Sequence, residues 1–138
     1  MSFQIVEIVA PRPEEIRAIV DHEGNQMPAV IAGSKAEDIA VGKSFQATIG
    51  YDEIRNWNVV SDFEDARSGI WQEADGIHLL GRVHNLLDYG DGKIIIDVYI
   101  HNGSELFTVD AETIADVPEA NDGVEITVGK LYIYPRLE

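Results

Sequence analysis

Apolar and polar residues alternate with a period of two through most of this chain, and short clusters of Gly, Asn, Asp and Pro interrupt the alternation. That rhythm predicts β-strands joined by tight turns. Residues 3–9 form the first predicted strand, and Pro11 and Pro13 end it. A hairpin follows. Ile16, Ala18 and Val20 alternate with Arg17 and Asp21, the turn is His22, Glu23, Gly24 and Asn25, and Met27, Ala29 and Ile31 return on one face. Pairing about that turn sets Val20 against Met27, Ala18 against Ala29 and Ile16 against Ile31, so apolar meets apolar at each step. Pro28 has no donor N–H, which marks an edge or a strand start.

Ser34 and Glu37 have the spacing of a capping box, which predicts a single helical turn. Gly42 then opens a strand in which Phe45, Ala47, Ile49 and Tyr51 point one way and Ser44, Gln46 and Thr48 the other. Asp52 is placed to cap a short helix running to Trp57. The pattern weakens over residues 58–76, which read as a long loop.

The clearest segment is a three-stranded antiparallel meander over residues 77–110. Its strands are residues 77–88, 93–101 and 105–110, joined by a Gly90-Asp91 turn and an Asn102-Gly103 turn. The first turn places Val83 opposite Val98; the second places Val98 opposite Phe107 and Ile96 opposite Val109. Two independent turns thus agree on one apolar face. A short helix over residues 111–115 is expected next, capped by Asp110. A final strand or tight hairpin follows over residues 123–134, with Gly129 and Lys130 as its turn.

The expected fold is therefore mainly β, a small antiparallel barrel with one or two short helices. Residues 1–136 read as a single domain. Within it, residues 1–41 form a β-rich N-terminal extension and residues 42–136 the barrel; Leu137 and Glu138 read as residues left by cloning. From Gly42 onward the order of elements (a Gly-led strand, a meander, a short helix and a terminal strand) resembles an OB-type five-stranded barrel. The resemblance implies binding of oligonucleotides or oligosaccharides on one sheet face.

Composition narrows that implication. The chain carries 25 acidic against 10 basic residues, a formal charge of −15, and has no Lys or Arg between Lys93 and Lys130. Nucleic-acid and anionic-membrane binding need cations that this chain lacks, so neither partner is expected. A basic protein is the macromolecular partner such a charge favours. The chain has no cysteine, which excludes disulfides, thiolate catalysis and cysteine-held zinc or iron–sulfur sites. It has no run of about 20 apolar residues, and its first residues read as a strand rather than a leader, so a cytoplasmic location is expected.

Candidate chemistry sits on the polar face of the meander. The turn assignments set His84, Asp97 and Thr108 in one row, Arg82, Tyr99 and Leu106 in the next, and Leu80, His101 and Ser104 in a third. A His beside a carboxylate is held in one tautomer and made more basic, as acid–base chemistry requires. Arg82, His84, Asp97, Tyr99 and His101 are therefore the candidate ligand-binding residues, with Trp71 available to stack on a ligand. The alternative is an ordinary solvated sheet face with charged and aromatic cross-strand pairs. His78 and His84 stand six residues apart on one strand, about 20 Å when extended, too far to share an ion. No phosphate loop or nucleophile elbow is present, and neither metal nor cofactor is expected. The sequence thus reads as a non-enzymatic binding or interaction domain, such as an acidic immunity protein or inhibitor of a basic partner. The alternative is a small-molecule or carbohydrate binder, or an acid–base enzyme, on the meander face.

Overall fold

A computed structural model describes residues 2–11, 15–32, 40–61, 63–64, 68–90, 93–100, 105–110 and 118–136. Among these the protein is mainly β. Its nine strands are β1 (Ser2–Pro11), β2 (Glu15–His22), β3 (Asn25–Ala32), β4 (Ser44–Val60), β5 (Gly69–Glu73), β6 (Gly76–Asp88), β7 (Ile94–Ile100), β8 (Glu105–Asp110) and β9 (Gly123–Pro135). They join in one sheet of order β3-β2-β1-β4-β9-β6-β7-β8, with β5 paired to β6.

Strand β9 is the spine. One edge pairs antiparallel with β4 from Ala47↔Pro135 to Val60↔Gly123. The other edge is shared. It pairs antiparallel with β6 from Arg82↔Gly123 to Ile77↔Val128, then parallel with β3 at Val30↔Tyr132 and Ile31↔Ile133. The β3–β9 contact closes a circuit of pairings, β1-β2-β3-β9-β4, because β1 also pairs with β4 at Phe3↔Phe45. One continuous core results. Phe3 and Ile5 from β1 and Ile16, Val20 and Ile31 from the β2–β3 hairpin pack in the same cluster as Leu79, Val83, Val98, Val109 and Ile126.

The β2–β3 register expected from the sequence forms throughout, and the expected apolar pairs of the meander form, although β6 and β7 are offset by one residue from Asn85 to Asp88. Val20 pairs with Met27, Ala18 with Ala29 and Ile16 with Ile31. Val83 pairs with Val98, Val98 with Phe107 and Ile96 with Val109. These alternations bury one face and fix the register, since a one-residue slip would expose the whole set.

Elsewhere the structure differs from the sequence reading. No helix occurs among the described residues, and the expected helical turns over residues 34–37 and 111–115 lie outside them. The helix expected from Asp52 to Trp57 is strand instead, inside β4. A bulge between Ile54 and Asn56 breaks the period of two there, and Glu53 takes a positive φ of 60°. Asp52 and Asn56 do not cap a helix; each accepts a bond from the N–H of the next residue. Residues 58–76 are not one long loop, because β4 runs to Val60 and β5 begins at Gly69.

Gly129 and Lys130 do not turn the chain; β9 passes straight through them. The buried positions switch there from Val124, Ile126 and Val128 to Leu131 and Ile133. The switch falls where β9 passes from β6 to β3. Gly129 is needed for close approach, since a Cβ on it would lie 3.0 Å from the Cβ of Glu53.

Candidate functional site

The meander face holds only part of the expected cluster. Arg82 pairs with Tyr99 and Tyr99 with Leu106, as the turns implied. The next row is displaced. A bulge between Val83 and Asn85 puts Asn85, not His84, opposite Asp97, while Asp97 still pairs with Thr108. His84 therefore loses its expected carboxylate neighbour. Its ring instead lies 4.6 Å from that of Tyr99, tilted by 60°. The Arg82 guanidinium sits 5.4 Å above the Phe63 ring. Arg82, Asp97 and Tyr99 are half-buried and His84 is exposed. His101 lies outside the described residues.

His78 lies on the same side of β6 as Arg82 but is not open to solvent. It is buried at the base of the β5–β6 hairpin, where it pairs directly with Trp71. The Trp71 and His78 rings stack at 5.5 Å and 18°, so Trp71 packs on a neighbour. The His78 Nε2 lies 2.7 Å from Asp75 Oδ1 and 3.0 Å from Glu73 Oε2. Its Nδ1 faces Glu125 Oε1 at 3.6 Å and Thr127 Oγ1 at 3.5 Å. Burial opposes charge on this ring, but the hydrogen bond to Asp75 and the charges of Asp75, Glu73 and Glu125 outweigh it. They hold the His78 pKa above its ordinary value. The same bond holds Asp75 below the usual carboxylate range. The buried His22 is a structural contrast: its Nδ1–H donates to the Ser2 carbonyl at 2.9 Å and its ring packs 5.1 Å from Phe3.

A separate concavity lies where β9 changes partners. β3 and β9 pair at only two positions, and Pro28 has no N–H with which to extend the ladder. The strands diverge below Val30, leaving an open groove of about 310 Å³. Val9, Ile19, Pro28, Val30 and Leu131 are among its apolar lining, and Arg17 and Lys130 bring the cationic groups. Both cations are exposed. The volume is at the small end of ligand pockets, roughly 300–1,000 Å³.

No protein-family model matches this chain, and no curated protein matches it in sequence. The site must therefore be read from its own geometry.

Two features escaped the sequence reading for different reasons. The His78 cluster had a local signal. Asp75-Gly76 is a hairpin dipeptide and marks a turn at this point; the turn that forms is centred one residue earlier, on Ala74 and Asp75, so that Glu73 pairs with Gly76 and Trp71 with His78, and Glu73 stands diagonally beside the imidazole. The groove had none, because β3 and β9 are about a hundred residues apart in sequence and meet only through the fold.

Proposed function

We propose that this chain is a non-enzymatic binding domain, and that the β3–β9 groove takes a small anionic ligand with an apolar body. One observation carries the reading: an apolar floor of ligand size has Arg17 and Lys130 at its rim, in a chain with only 10 basic residues against 25 acidic ones. Apolar lining supplies burial, and two cations among the lining residues select charge and orientation.

The circuit β1-β2-β3-β9-β4 supports an OB-like barrel as the scaffold. In this reading the barrel strands come from both ends of the chain, and the β5–β8 segment is an addition rather than part of the barrel. The groove then falls on the second and third strands of the circuit, where OB-type barrels often bind ligands. Fold likeness alone does not fix a ligand, so the cation rim decides its class. A cytoplasmic setting belongs to the same proposal.

Titration with anilinonaphthalene sulfonate, an apolar body bearing one anion, tests the reading. The expected result is saturable binding of one probe per chain. It weakens about tenfold in Arg17→Glu and in Lys130→Glu, roughly 1.4 kcal/mol each. Lys93→Glu, on the exposed turn after β6, leaves it unchanged. Probe binding indifferent to both groove reversals would refute the assignment.

A second reading keeps the acidic surface as the active feature: capture of a basic protein. Its specific support is the net charge of −15 and the basic-free stretch before Lys130. Capture that falls steeply as salt rises is expected; salt-insensitive capture would rule it out.

A further inference from the structure

The β5–β6 hairpin carries a second set of groups, none of which lines the groove. Glu73, Asp75 and His78 each turn one ligand-competent atom toward a common point, and these atoms lie within 4.8 Å of one another. Two ligands held about 2.1 Å from a zinc-class ion stand roughly 3.0–3.4 Å apart, depending on geometry. Asp75 Oδ1 and Glu73 Oε2 lie 2.7 and 3.0 Å from His78 Nε2. An ion would need each carboxylate oxygen to open from Nε2 by only a few tenths of an ångström. Both carboxylates belong to half-exposed side chains that are free to make that move, at 58% and 59% exposure.

We propose that Glu73, Asp75 and His78 form a binding site for one divalent ion of the zinc class, with water completing its coordination. Three features beyond the acidic pair point that way. The His78 side chain is only 8% exposed, so Nε2 is a fixed ligand at the floor of the site. Trp71, stacked on the ring, fixes its plane. The two carboxylates hold a proton on Nε2 that an ion would displace, and the far nitrogen faces Glu125 and Thr127, which keep the remaining proton on Nδ1 once Nε2 binds the ion. One imidazole and two carboxylates favour zinc, nickel, cobalt or manganese over calcium, which takes oxygen ligands alone. The open mouth keeps water on the ion and makes it exchangeable.

The test is calorimetric titration of zinc chloride into the full chain, followed in parallel by tryptophan fluorescence, since Trp71 stacks on His78. The expected result is one zinc per chain with a change in Trp71 emission, and no competition from millimolar calcium. Glu73→Gln and Asp75→Asn, both at exposed carboxylates, each weaken binding more than about tenfold. Glu125→Gln, acting through the far nitrogen, weakens it about tenfold. Absence of zinc binding in the unaltered protein would overturn the assignment. So would binding that Glu73→Gln and Asp75→Asn leave intact, which would move the ion to other histidines.

Discussion

Replacing Gly81 by alanine tests whether β6 is held as closely against β7 as the structure requires. Gly81 is buried in β6, one residue before the Arg82↔Tyr99 pair, and pairs with Val124 on its other side. A Cβ there would lie 2.8 Å from Val98 Cγ1 and 2.9 Å from the Tyr99 carbonyl carbon. Comfortable carbon contacts are about 3.5–4.0 Å, so the overlap is roughly 0.6 Å or more. One neighbour is backbone bonded into the sheet and cannot swing aside. Overpacking costs about 1–3 kcal/mol, and a clash against sheet backbone falls at the upper end, about 3 kcal/mol. Alanine recovers about 0.5–1 kcal/mol of chain entropy relative to glycine in a strand. The net expectation is a loss of about 2 kcal/mol. With an unfolding entropy of about 2.1 cal/mol/K per residue, a 138-residue chain should lose roughly 7 °C in Tm. In urea, an m-value of about 2 kcal/mol/M puts the midpoint roughly 1 M lower. Gly50→Ala is the control, because its Cβ would meet only the Tyr134 ring, at 3.1 Å, and that ring is 43% exposed. It should cost less than about 1 kcal/mol. Equal midpoints for the two variants would refute the close approach of β6 to β7, and with it the register that brings Arg82 beside Tyr99.

Other outcomes follow from the same geometry. His78 has a raised folded pKa, so its contribution to stability is fully present below its unfolded value of about 6.5 and is lost as pH rises through the folded value. Asp75 has a lowered pKa, so its contribution is present above the ordinary carboxylate range and is lost as pH falls through its folded value. Asp75→Asn should therefore flatten the stability profile at both limits in metal-free buffer; an unchanged urea-midpoint profile would show that the pair does not form. Tyr51 donates to the Thr108 carbonyl, and burial, aided by the charge of Asp110, raises its pKa to about 12. Its link to stability is lost between about pH 10 and that value, and Tyr51→Phe should remove a late step from the 295-nm titration. If the step survives, the phenol is not the buried one.

The sequence by itself determined the strands whose periods are clean. Ile16, Ala18 and Val20 could face only Met27, Ala29 and Ile31, and Val83, Val98 and Phe107 could share only one side of a meander, because a slip would put each set in water. It was ambiguous wherever the period broke. A lost alternation reads alike for a helix start, a turn or a bulge, and Asp52, His84 and Gly129 each proved to lie at or beside an irregularity within a continuing strand. Bulges depend on how a neighbouring strand accommodates one extra residue, so partners distant in sequence decide them. The tertiary structure also decided both proposed sites. Glu125 and Thr127 meet His78 only because β9 pairs with β6, and the groove exists only because β9 leaves β6 before it fully joins β3. Local patterning governs which face of a strand is buried; which strands share an edge, and where they part, is set by the closure of the whole sheet.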